Sequence, residues 1–289
     1  MRSELEEAIG LLQKGEAADV HRALGLLQQT VLSFGIKVCG HRQDAEDTAQ
    51  EVLVHALPHL AKLESPQALS AWLYTAAKNR CWQGRRRATY RKSVALEDLI
   101  PNDAELHALL LADPAPNPER EALNRQDHEM LRKAVLSLPP QYRLVLVLHD
   151  MEELDSETVA EVLSLQPGTV RVRLHRARLL VRQEMAKLLN RTGVAKKSRT
   201  TGVRRPAQCQ EIFANLSDYL DGRLAPESCD RMKRHIEGCP ACVAFIQDLK
   251  RAIDRCRSLD VCPKPETQPV LRRLLTEEYL RLKNSSANL

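Results

Sequence analysis

The residues best suited to chemistry in this sequence are sulfur and imidazole donors in its last third. In "CQEIFANLSDYLDGRLAPESCDRMKRHIEGCPAC", Cys209 is followed after 25 residues by His235, then by Cys239 and Cys242. A histidine on a helix followed by a Cys-Pro-Ala-Cys knuckle brings three donors to one point, and four N or S donors close a tetrahedron around structural zinc. Cys209 is the expected fourth ligand. Cys229 is nearer in sequence, but six helical residues rotate it about 240° from His235, onto the wrong side. A segment of roughly fifty residues buries too little apolar surface to fold firmly alone, so the first expected role of the metal is structural. The neighbouring thiols Cys229, Cys256 and Cys262 leave a second role open, in which oxidation of a ligand releases the metal and unfolds the module. Nothing points to catalysis. There is no phosphate-cradling Gly loop, no H-E-x-x-H pair and no nucleophile arrangement, and His149 beside Asp150 reads as a helix-end pair.

The second kind of chemistry is cationic. The formal charge is only +5, but it is patterned: Val170 to Pro206 holds twelve Arg or Lys against one acid, Glu184, and Arg80 to Lys92 holds six bases and no acid. By contrast "DAEDTAQE", 44 to 51, carries four acids and no base. Two basic patches and one acidic patch predict nucleic acid at two places and a different partner at a third. Between Ser65 and Lys92 lie Trp72, Tyr74, Trp82 and Tyr90, four of ten aromatic residues in the chain. Aromatic faces stack on unpaired bases while Arg and Lys track phosphates, a combination suited to an opened strand. Arg80, Arg85, Arg86 and Arg87 are the phosphate candidates. Trp72, with Leu69, Leu73 and Ala76 at helical spacing, reads as core.

The elements that must position these groups are helices. Apolar residues recur at three and four, Gly is scarce and no alternating β run appears, so the fold class is all-α. Val145 to Leu148 reads as buried helix. Ser156 is placed to cap a helix carrying Val159, Val162 and Leu163. Ser164 to Gln166 then make a turn, and Pro167 opens the next helix. On that helix Val170, Leu174, Ala177 and Val181 form one face, which leaves Arg171, Arg173, His175, Arg176, Arg178 and Arg182 outward. Arg there can grip guanine bidentately and neutralise phosphates, as major-groove reading by a helix-turn-helix requires. "PNDAELHALLLADPAPNPER" and "RTGVAKKSRTTGVRRP" read as linkers. The opening segment is too acidic for a signal peptide, and no window reaches the length of a membrane span, so the expected location is the cytoplasm.

"LPPQYRLVLVLHDMEELDSETVAEVLSLQPGTVRVRLHRAR" resembles region 4 of the extracytoplasmic-function sigma factors of bacterial RNA polymerase. "RQDAEDTAQEVLVHALPHL" with "ALSAWLYTAAKNRCWQGRRR" is similar to region 2 of the same family. The cysteine-rich segment, with its "YLDGRL", resembles the zinc-binding anti-sigma domain, which in that family is usually a separate protein. The organisation implied is region 2 over 1–98, a linker over 99–126, region 4 over 127–190, a basic linker over 191–207, a zinc-binding domain over 208–262 and a C-terminal helix or tail over 263–289.

The resemblance implies a factor that binds core RNA polymerase and directs promoter-specific initiation, with a fused control domain folding back on regions 2 and 4. Asp47, Gln50 and Glu51 match positions that dock on the polymerase, and Asp44 beside them on the acidic helix is a further docking candidate, although Leu53 stands where the family often has an aromatic residue. Lys78 and Asn79 match positions near the melted minus-10 element, while Gln83 replaces an acid common there. Thr169, Arg171, Arg173, His175, Arg176 and Arg178 are the minus-35 contact candidates. Two rivals remain open: a duplex-binding regulator with a zinc or thiol sensor, and a chiefly inhibitory interaction protein. The segment "PVLRRLLTEEYLRLKN" is an amphipathic helix that either packs on regions 2 or 4 or faces solvent.

Overall fold

The structure, a computed structural model, describes residues 3–60, 65–83, 95–96, 99, 120–191, 207–259 and 269–286. Among them every regular element is helical: α1 (Ser3–Lys14), α2 (Ala17–Cys39), α3 (Arg42–Leu60), α4 (Pro66–Gln83), α5 (Arg120–Ser137), α6 (Pro140–Leu146), a π-helical turn (Val147–Met151), α7 (Ser156–Leu163), α8 (Pro167–Arg191), α9 (Ala207–Leu220), α10 (Pro226–Gly238), α11 (Pro240–Ser258) and α12 (Pro269–Ser286). They form two compact units that do not follow chain order. One combines residues 1–88, 147–167 and 260–289; the other combines 89–146 and 168–259.

The first unit is built on α2. Its C-terminal half, Thr30 to Cys39, is buried without a break, and the helix stops where Gly40 takes a φ of 78° and returns its N–H to the Ile36 carbonyl. Only glycine adopts that left-handed cap without a Cβ penalty. Against α2 runs α3, and they cross closely at Gly35, where a Cβ would lie 2.9 Å from that of Ala45. This crossing turns Ala45, Thr48, Ala49 and Val52 inward and leaves Asp44 and Asp47 exposed. On α4, Leu69, Leu73, Tyr74 and Ala77 are buried. Trp72, expected in the core, is half-buried against His59, with ring centroids 5.0 Å apart.

Helix α12 also belongs to this unit. Tyr279 is buried beneath it, and Lys283 Nζ donates to the carbonyls of Leu12 and Gln13 at 3.0 and 3.2 Å. A cation on the last carbonyls of α1 satisfies acceptors with no helical partner and complements the helix dipole. Arg272 donates to Gln28 Oε1 at 3.1 Å. Of the two fates open to this amphipathic segment, the structure takes packing, here on α1 and α2.

The run expected to be plain helix at 145–148 is buried as foreseen, but it changes form midway. From Val147 the ladder widens, with the Glu152 N–H reaching Val147 O at 2.9 Å. Glu153 then sits at a φ of 57°. Helix α7 is capped one residue earlier than expected: Asp155, not Ser156, takes the N-cap and accepts from the Thr158 N–H at 2.7 Å. Its carboxylate also takes the Thr158 hydroxyl, whereas Ser156 is buried. Burial works to raise the Asp155 carboxyl, but those hydrogen bonds outweigh it and hold the group below its ordinary value.

The second unit contains α5, α6 and α8 with the three helices of the cysteine-rich module. On α8, Val170, Leu174, Ala177 and Val181 are all buried, as the periodicity requires. The module has a small core of Phe213, Leu216, Met232, Phe245, Leu249, Ile253 and Cys256. Phe213 and Phe245 meet edge-on at 4.9 Å between centroids, a favoured aromatic geometry.

Candidate nucleic-acid interface and metal centre

His235 lies in the last turn of α10, Cys239 ends that helix and begins α11, and Cys242 is in the first turn of α11 behind Pro240. Proline suits the start of a helix because the missing N–H has no intrahelical acceptor there, and it fixes the corner that folds the knuckle back. The ligand atoms of these three residues lie within 4.8 Å of one another, with His235 Nε2 3.4 Å from Cys242 Sγ. Zinc bonds of about 2.0 Å to nitrogen and about 2.3 Å to sulfur put tetrahedral donors roughly 3.5–4 Å apart, so the cluster fits with small adjustment. Cys242 is buried and the other two are half-buried, a closed setting rather than an open catalytic one. Cys209 belongs to the first turn of α9, but its side chain lies outside the described residues. Cys229 is not in the cluster. The donors present would hold a structural zinc and tie α10 to α11.

The cationic helix α8 departs from expectation in one respect. Thr169 and Arg171 are exposed, and Arg173 and Arg176 are half-buried. His175, Arg178 and Arg182, expected to face outward, are buried against the cysteine-rich module. Arg178 makes a two-pronged pair with Asp221: Nη1 donates to Oδ2 and Nη2 to Oδ1, each at 2.9 Å. Its side chain is 0% exposed. Arg182 donates to Asp248 Oδ2 at 3.4 Å and lies over the Phe245 ring, 4.6 Å from its centroid. His175 Nδ1 is 2.9 Å from Ser217 Oγ. Burial pushes the His175 imidazole down to about 4, the charges of Arg178 and Arg176 add to this, and the Phe213 backbone opposes it. The imidazole is therefore neutral at pH 7. Residues 175, 178 and 182 share a helical face, and α9, the turn after it and α11 supply two carboxylates, a hydroxyl and an aromatic face to it.

In the first unit, Asp44 and Asp47 are exposed on α3, and Gln50 and Glu51 are half-buried beside them. Gln43 Nε2 donates to Asp47 Oδ1 at 3.4 Å, and Glu51 is ion-paired with Arg80 of α4. A residue expected at the polymerase thus meets one expected at DNA phosphate. Asn79 is exposed. Lys78 donates to the carbonyl of Val162 at 2.6 Å, and burial lowers its ammonium from the ordinary value. Arg85, Arg86 and Arg87 lie outside the described residues.

Sequence reasoning missed the acceptors of the α8 cations, although Asp221 stands in the quoted "YLDGRL". It also missed Lys37. That lysine is buried in α2, with Nζ 2.8 Å from Glu152 Oε1, while the Tyr74 hydroxyl donates to Glu152 Oε2 at 2.8 Å. The available signal was a single cation in the otherwise apolar run "VLSFGIKVC".

A chain whose described elements are all helical, with a basic helix-turn-helix, an acid-faced helix and a closed Cys-His centre, defines a class of transcription protein. Comparison with known families gives it more particular form. Residues 25–91 match Sigma-70 region 2, residues 128–181 match Sigma-70, region 4, and residues 209–242 match a zinc-finger family. The RNA polymerase sigma factor YlaC of Bacillus subtilis is 30% identical over 155 residues, covering 52% of this chain and 83% of that protein. The ECF RNA polymerase sigma factor SigW of the same species is 24% identical over 178 residues, covering 62% of this chain and 95% of its own. A sigma factor named RfaY, from Xanthomonas campestris pv. campestris, is 30% identical over 169 residues, but the match spans only 41% of its length. The chain belongs to the RNA polymerase sigma factors, with regions 2 and 4 in family order and a zinc-finger segment following them. No described helix is long and apolar enough to cross a membrane.

Proposed function

We propose that this protein binds core RNA polymerase, directs initiation at promoters with two recognised elements, and is restrained by its own zinc-binding module. The observation that carries the first part is the pairing of region 2 and region 4 matches in one chain. On this reading Asp44, Asp47, Gln50 and Glu51 dock on the polymerase. Lys78, Asn79, Arg80, Arg85, Arg86 and Arg87 serve the melted element, and Thr169, Arg171, Arg173, His175, Arg176 and Arg178 serve the duplex one. Cys209, His235, Cys239 and Cys242 hold zinc.

The restraint is supported by the Arg178–Asp221 pair. A guanidinium that takes both oxygens of a carboxylate offers its fork to nothing else, and a DNA phosphate or guanine edge would need the same fork. His175 and Arg182 are engaged alongside it. Because the module is tethered, its effective concentration at α8 is high and modest contacts suffice.

Co-purification with core polymerase, metal analysis of the same sample and transcription in vitro test the reading. The full chain is expected to bind core at low salt and to carry zinc, and Asp221→Ala is expected to raise promoter-dependent output without changing core affinity. Failure to associate with core at low salt would reject the sigma-factor role. Equal output from both forms would reject the restraint.

A further inference from the structure

Helix α12 follows the cysteine-rich module in the chain, yet its seat is on α1 and α2. One stripe of the helix makes the contact: Leu275, Thr276 and Tyr279 are buried in its middle, with Arg272 and Lys283 toward its two ends. Such recurrence at three and four is how an amphipathic helix lies in a groove. Both ends are held by polar clamps. Arg272 reaches the buried Gln28 of α2, and Lys283 takes the last carbonyls of α1. Two glycines leave room for those cations. Gly25 stands inside α2, where glycine is among the weakest helix formers, and a Cβ there would lie 3.3 Å from Arg272 Nη1. At Gly15, which follows α1 with a φ of 76°, a Cβ would lie 2.6 Å from Lys283 Nζ.

We infer that α12 is a strap that pins the outgoing end of the zinc-binding module to the first unit, so that the module is held at both ends. The chain leaves the first unit after Pro167 and returns to it with α12, so α8 and the whole module lie on one excursion that α12 closes at its base. Closing a long loop removes conformations from the released state, and a module that has let go of α8 then stays near it. The inference rests on the reading of the module as a restraint on α8 and deepens it: the restraint is governed from the first unit as well as by the metal. Unseating α12 opens the loop and weakens the Arg178–Asp221 contact without altering either residue, a coupling between two separate places in the molecule. No residue of the seat belongs to the His235, Cys239 and Cys242 cluster, so the strap holds with or without the metal.

The test is hydrogen exchange of the zinc-loaded full chain, read by segment. Gly25→Leu raises the helix propensity of α2 while filling the space of Arg272, and Tyr279→Ala removes the buried ring. Together they are expected to speed exchange in 269–286 on the order of a hundredfold and in α9 about fivefold, with α3 and α4 unchanged. Tyr279→Phe keeps the ring and gives up only the 3.5 Å contact of its hydroxyl with the Leu12 carbonyl. It is expected to change α12 less than about threefold. With chelator, α12 is expected to stay protected while α9–α11 lose protection. Unchanged α9 exchange when α12 is unseated would overturn the strap. So would loss of α12 protection together with the metal, which would make α12 part of the module, or acceleration spread equally over α3 and α4, which would make it part of their core. Failure of the restraint itself would show as equal transcription from the parent and the Asp221→Ala form, a measurement separate from these.

Discussion

Two ion pairs removed from water solve the same problem in different ways. In the second unit, Arg178 meets Asp221 with a planar fork, and both carboxylate oxygens are filled by one side chain. In the first, Lys37 offers a point charge, fills one oxygen of Glu152, and leaves the other to the Tyr74 hydroxyl. The guanidinium is the more weakly hydrated cation and carries its geometry with it; the ammonium needs a third residue to complete the site. One pair is made with the cysteine-rich module, and the other lies within the first unit.

Metal removal separates the two most sharply. Structural zinc in small modules contributes on the order of 10 kcal/mol of folding free energy at neutral pH. Chelation is expected to unfold α9–α11 and release the α8 cations, while the protection of α7 persists. Segment-resolved exchange with and without chelator checks this, and simultaneous loss of α7 protection would show the contacts to be one cooperative structure. Next in size is loss of a partner. Asp221→Ala removes the carboxylate that fills the fork of the fully buried Arg178 and is expected to cost about 3 kcal/mol of contact stability. Asp221→Asn keeps an acceptor and should cost less. Tyr74→Phe strips one hydrogen bond from a charged acceptor, worth about 1.5–3 kcal/mol, and Arg178→Lys should lose a comparable amount because the ammonium lacks the second prong. If Arg178→Lys is silent, the fork is not what holds the module.

Acid gives a graded version of the same contrast. His175 is held neutral, with a folded-state value of about 4 against the ordinary 6.5. The released state binds a proton first as pH falls, so the contact is at full strength above about 6.5 and weakens progressively toward 4. Between pH 7.5 and 5.5 this amounts to about a tenfold fall in the equilibrium constant for the closed contact. The charged neighbours Arg176 and Arg178 favour the neutral ring, and Ser217 accommodates it. His175→Gln should flatten the profile when α8 protection is followed against pH.

How much of this the sequence discloses depends on whether a feature is periodic or relational. The apolar face of α8 follows from spacing alone, and so does the Cys-x-x-Cys knuckle after His235, because three donors within eight residues are brought together by one helix end. Regions 2 and 4 are legible because their motifs are contiguous. The burial of His175, Arg178 and Arg182 is not, because a basic face looks the same whether it meets water, phosphate or the carboxylate of Asp221, 43 residues on. Lys37 is the harder case. Its partner is 115 residues away, and only the tertiary fold turns an oddity in an apolar run into half of an ion pair. The π-helical turn is hidden for another reason: Val145 to Leu148 is apolar throughout, so nothing in its pattern distinguishes a ladder of four from a ladder of five.

The smallest effect is expected where the two charges remain in water. Arg80 and Glu51 pair between α4 and α3 with side chains 43% and 37% exposed. Solvent screens such a pair and two flexible side chains must be held to make it, so its worth is about 0–1 kcal/mol. Glu51→Ala is expected to leave thermal stability within about 0.5 kcal/mol of the parent, with any difference vanishing at high salt. A larger, salt-insensitive loss would mean that α3 and α4 are locked through this pair as the buried ones lock their helices. A small effect on stability combined with a clear loss of core-polymerase binding would instead place the function of Glu51 at the docking surface, where a weak internal pair is readily exchanged for a partner's cation.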